Sequence, residues 1–128
     1  MPPARRVVPD QSANSVITTP ELAAKYEALM PLLKGMYEEF QELSKKKPDG
    51  TLNKRKLEIV NRLLTEIFSV VDGEPTRAFL DLLDEDDLPQ NSDVALILNQ
   101  SVAAMQSFHS KYYRYTAGRG QHWVVTSE

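Results

Sequence analysis

The sequence predicts an all-α, up-down helical bundle of three long helices and one short one. Three observations carry that expectation. Leu22, Tyr26, Leu29, Leu33, Met36, Phe40 and Leu43 recur in alternating steps of four and three, the narrow apolar seam of a helix about seven turns long. Leu57, Val60, Leu64, Ile67 and Val71 repeat the pattern, with Leu63 and Phe68 widening the stripe. Val94 to Leu98 is an unbroken apolar run, followed by Val102, Ala103, Ala104, Met105 and Phe108.

Residues 1–18 read as a flexible arm, because Pro2, Pro3 and Pro9 break periodicity and Ser12, Asn14 and Ser15 offer no core face. Thr19-Pro20-Glu21 then combines a hydroxyl cap, a proline at the first helical position and an acid in the first turn. The first helix runs to about Lys46. Pro31 lies inside it and removes one backbone hydrogen bond; the seam keeps its register across Pro31, which predicts a bend rather than a break. Pro48-Asp49-Gly50 ends this element.

Thr51 or Asn53 caps the second helix, which runs to about Val71 before Asp72-Gly73. Pro75 opens a short third helix through about Asp84. Leu88-Pro89-Gln90-Asn91 connects it to a fourth, capped by Ser92, running to about Tyr113. The bundle thus spans 19–115. Residues 116–128 form a tail, with a loop at Gly118 and Gly120 and a short extended segment over His122-Trp123-Val124-Val125. The expected core is Leu22, Tyr26, Leu29, Leu33, Met36, Phe40, Leu57, Val60, Leu64, Ile67, Phe79, Leu83, Leu98, Val102, Met105 and Phe108.

Composition narrows the function. A chain of 128 residues is one domain, and its net charge of -3 gives no global attraction to nucleic acid or anionic lipid. The absence of cysteine excludes thiol catalysis, disulfides and thiolate zinc sites. No apolar run approaches the roughly 18 residues of a membrane span, and no apolar stretch follows Arg5 and Arg6 as in a secretory signal, so the expected location is cytoplasmic and no membrane partner is expected.

Recognisable chemistry is missing. Gln106 and Arg119 stand three before His109 and His122, where a carboxylate-bridged metal bundle needs Glu. Asp84-Glu85-Asp86-Asp87 opens like a calcium loop, but Pro89 takes the place of the required glycine and Ala95 that of the closing glutamate. Gly118-Arg119-Gly120 lacks the lysine and hydroxyl of a phosphate loop. Ser107, His109 and Ser110 have no orienting acid. The expectation is a non-enzyme without metal or cofactor.

Two binding readings remain. The first helix, about 40 Å long at about 1.5 Å per residue, is longer than the short third helix can cover. Part of its seam, over Leu22, Tyr26, Leu29, Leu33 and Met36, is therefore expected to meet a protein partner, most economically a second copy. The chain then reads as a self-associating assembly subunit. The alternative is an accessory subunit for single-stranded nucleic acid. Lys111, Arg114 and Arg119 interleave with Tyr113 and Trp123, the cation-and-ring mixture that such binding uses, and Lys54, Arg55, Lys56 and Arg62 offer a second basic strip. In an up-down chain the bases of 45–56 and the acids Asp81, Asp84, Glu85, Asp86 and Asp87 fall at one end.

Overall fold

Residues 16–126 are described by a computed structural model. Three long helices dominate: α1 over Pro20–Lys46, α2 over Lys54–Val70 and α3 over Asn91–Tyr112. A two-stranded hairpin, β1 over Tyr113–Thr116 and β2 over Gly120–Trp123, follows directly. The chain is therefore mostly helical without being all-α.

The helix starts follow local chemistry. Thr19 Oγ1 accepts from the amide of Leu22 at 3.1 Å, and Asn53 Oδ1 accepts from that of Lys56 at 2.8 Å. For α3 the cap lies two residues earlier than Ser92: Gln90 is the N-cap, and its amide donates to Asp93 Oδ2 at 3.0 Å. The first helix continues through Pro31 without interruption.

Hydrogen bonds between distant segments set the helix directions. The Asn91 amide donates to Gly50 O at 2.7 Å and Leu52 to Pro89 O at 3.0 Å, so the α1–α2 and pre-α3 connections share one end. Lys25 meets Glu66 at 2.9 Å, so α2 runs antiparallel to α1. Glu74, just past α2, pairs with Lys111 and Tyr112 near the end of α3. Thus α2 and α3 are parallel to each other and antiparallel to α1. Leu33, Leu57, Leu64, Ile67, Leu98 and Met105 are fully enclosed between them.

The expected third helix is corrected. Only Pro75–Phe79 turns, as one 3-10 helix, and the chain from Leu80 to Pro89 is not helical. Asp81, Asp84, Asp86 and Asp87 are poor helix formers, they and Glu85 repel one another without a compensating base, and Asp84 Oδ1 accepts instead from the Asp86 amide at 2.9 Å. Asn61, buried on α2, supplies the pairing that a helix would have made internally. Its Nδ2 donates to Leu83 O at 2.8 Å and its Oδ1 accepts from the Leu83 amide at 2.9 Å. Leu80 and Leu83 point inward, whereas Phe79, expected in the core, is 77% exposed.

Both ends are also adjusted. Residues 1–15, with Arg5 and Arg6, lie outside the described residues, but Val16–Thr18 belong to the fold rather than to an arm: the Thr18 amide donates to Val124 O, and that of Thr126 to Thr18 O, both at 3.0 Å. The extended segment near Trp123 has a partner in β1, which takes 113–115 out of the helical span. Tyr-Tyr-Arg-Tyr-Thr favours strand, and the tight return uses positive φ at Gly118 (91°) and Gly120 (75°), where a side chain would be strained.

Candidate partner interface

The seam of α1 divides between two environments. Tyr26 and Leu33 are buried inside the chain with Ala23, Met30 and Phe40, so two of the five residues expected to meet a partner are corrected to internal core. Leu22, Leu29, Met36 and Leu43 are only partly covered. The last three line a groove of about 910 Å³ between α1 and α2. Its other apolar lining comes from Leu32, Phe40, Ile59, Val60 and Leu63, and Leu32 and Ile59 are 60% and 38% exposed. Gly35 lies in the same lining, and a Cβ there would meet no atom within 4 Å. Pro31, Glu39, Lys56, Arg62 and Glu66 complete the lining.

Leu32, Ile59 and Gly35 were not among the expected site residues. Their signal lies in apolar doublets: Leu32-Leu33, Ile59-Val60 and Leu63-Leu64. Neighbours on a helix point about 100° apart, so one member of each pair fills the core and the other faces the open side.

The basic–aromatic end is built differently. Trp123 packs edge-on to Tyr26 with ring centroids 5.3 Å apart, and His109 stacks on Tyr113 at 4.5 Å. Trp123 Nε1 donates to Glu27 at 2.9 Å. These rings engage one another and close the end of the core. Lys111 is paired with Glu74 at 3.2 Å, and Arg114 Nη2 reaches Val16 O at 3.4 Å. Arg119 is exposed in the hairpin turn. Lys54, Arg55 and Lys56 stand exposed in the first turn of α2, at the other end of the molecule, and Arg62 lies on the groove. The two expected nucleic-acid clusters are therefore about the length of α2 apart, about 25 Å at about 1.5 Å per residue. The acids of 84–87 lie between Leu83, held midway along α2 by Asn61, and Pro89, paired with Leu52 at the end of the 45–56 bases, and among the described residues no ion pair joins the acids to those bases.

A second cleft lies between α1 and α3, lined by Glu27, Lys34, His109 and Ser110 among others. Its acid already accepts from Trp123 and its imidazole is stacked between Tyr26 and Tyr113, so it holds no assembled acid–base pair. Among the described residues, no group of three or more His, Cys, Asp or Glu is placed to hold a metal, and no helix is long and apolar enough to cross a membrane.

Tyr112 has a measurable signature. Burial, then its hydrogen bond to Glu74 at 2.7 Å and the charge of that carboxylate, raise its pKa above the ordinary 10.0. Burial and the nearby Glu27 raise Tyr26 likewise. The folded state holds both phenol protons more tightly than the unfolded state. This stabilisation is complete below pH 10.0 and is lost as pH rises past it toward the raised folded values. The urea midpoint is expected to fall in that alkaline range. Tyr112→Phe should flatten the fall while lowering the midpoint at neutral pH, since Glu74 loses a donor.

Compared with family models, curated proteins and solved structures, the chain matches none.

Proposed function

We propose that this protein is a non-catalytic interaction subunit that receives another protein's helical surface in the groove between α1 and α2. The observation that supports this reading is the open apolar lining at Leu32 and Ile59, on a side of the three-helix layer that no other element of the described chain covers. Leaving such side chains in water forgoes burial worth about 25 cal/mol per Å², and a contiguous patch of this kind marks an interaction face. A face two helices wide is thereby left open in what is otherwise a helical bundle, and another helical surface can pack across it, ridges into grooves.

The test is site-specific photocrosslinking in cells that express the full chain. A benzophenone side chain at position 59 should give a discrete adduct, whereas the same probe at Gln100, exposed on α3, should not. The absence of an adduct specific to position 59 would reject the reading.

A further inference from the structure

We infer that the occupant of the groove is a second copy of this chain, docked about a twofold axis that crosses α1 between Leu32 and Gly35. This inference rests on the interaction reading above and names its partner.

The groove face carries a projection and a recess one turn apart on the same helix. Leu32 is the most exposed of its apolar side chains at 60%, and Gly35, three residues on, has open space where a Cβ would sit. Residues three apart lie on one ridge of a helix. A twofold axis between them lays the two α1 helices antiparallel and sets each Leu32 over the other copy's Gly35. Both contacts are made by one pair of residues, the condition for an isologous interface. Among the described residues nothing explains Gly35. Glycine inside a helix is less favourable than alanine by about 1 kcal/mol, and here neither a positive φ nor a crowded neighbour requires it. Close approach by a helix from outside the chain is what its missing side chain permits.

Charge supports a copy over an unlike partner. The groove's charged residues are two acids, Glu39 and Glu66, and two bases, Lys56 and Arg62. This balance gives no net attraction to an acidic or a basic partner, whereas an identical face offers both signs in return. The size of the face sets the strength. From Leu29 to Leu43 the groove runs about 21 Å at about 1.5 Å per residue. Two helices wide, two such faces bury on the order of 1,000 Å², the low end of specific interfaces, so the dimer should be weak and concentration-dependent.

Sedimentation equilibrium of the full chain, across the micromolar range, tests this. A reversible monomer–dimer equilibrium is expected. Gly35→Leu and Leu32→Gly should each weaken it by at least about tenfold. The double variant, with Leu32→Gly and Gly35→Leu together, should restore it, because the twofold exchanges projection and recess. Thermal melts of the single variants check that the fold is intact. Their expected pattern is opposite in sign: Gly35→Leu melts higher than the parent and Leu32→Gly lower, although both lose the dimer. A monomer at every concentration overturns the inference, as does a dimer indifferent to both substitutions or one that the double variant fails to restore. If the position-59 photoadduct then has the mass of a different protein, the interaction reading stands and only the choice of partner has failed.

Discussion

Asn61→Ala is expected to destabilise the protein by about 2–5 kcal/mol, because it leaves two buried backbone groups without partners at about 1–3 kcal/mol each. The two groups are the amide and carbonyl of Leu83, both held by the Asn61 side chain. This is a large part of the roughly 5–15 kcal/mol that holds a domain of this kind together. Asn61→Asp is the informative companion. An ionised carboxylate there accepts from the Leu83 amide but sets its second oxygen, buried and without a counter-ion, against the Leu83 carbonyl, so at neutral pH Asn61→Asp should cost at least as much as Asn61→Ala. Urea titration followed by far-ultraviolet circular dichroism gives the difference. Hydrogen exchange locates it, with the earliest loss of protection expected in the segment that Asn61 holds. A change below about 1 kcal/mol would mean that this side chain does not hold the crossover.

Met105→Ala is expected to cost about 2–5 kcal/mol through lost apolar burial and the cavity left behind. Met105 is fully enclosed on α3, and α3 packs against both other helices. No single neighbour can collapse into the space without leaving another contact. Met105→Leu conserves volume and should stay within about 1.5 kcal/mol of the parent. The same urea titration reads both, and a small effect of the alanine variant would place Met105 at a loose boundary instead of the centre.

Residue pattern alone was enough for the three long helices because each carries its own evidence. A repeating apolar stripe, a cap and a turn signal are local, and they act on the same stretch of chain. The stop at Pro48-Asp49-Gly50, a cap at one of Thr51 and Asn53, and the enclosed positions Leu33, Leu57, Leu64, Leu98 and Met105 were legible in this way, and the structure assigns the cap to Asn53. The stripe of α1 was legible only as a direction. Tyr26, Leu33 and Phe40 mark its centre, but which flank turned inward depended on where α2 and α3 lay. It is Met30 that is buried, and Leu29 and Met36 that line the groove.

The segment 75–90 shows the limit from the other side. Pro75, Phe79, Leu80, Leu82 and Leu83 suggest a helix when read alone, yet Asn61, some twenty residues earlier, pairs with its backbone and holds it extended. The hairpin is similar: Gly118, Gly120 and the strand-forming Trp-Val-Val were visible, but β1 competes with the end of α3, and docking of Trp123 against Tyr26 accompanies the strand. The candidate interface belongs to the same class. Sequence by itself determined the long helices, their caps and the residue types available to the core. Only tertiary structure decided the course of the crossover, the closing of the aromatic end and the exposure of Leu32 and Ile59. The physical reason is range: helical periodicity and capping act within a few residues, whereas burial and backbone pairing depend on what a distant part of the chain brings alongside.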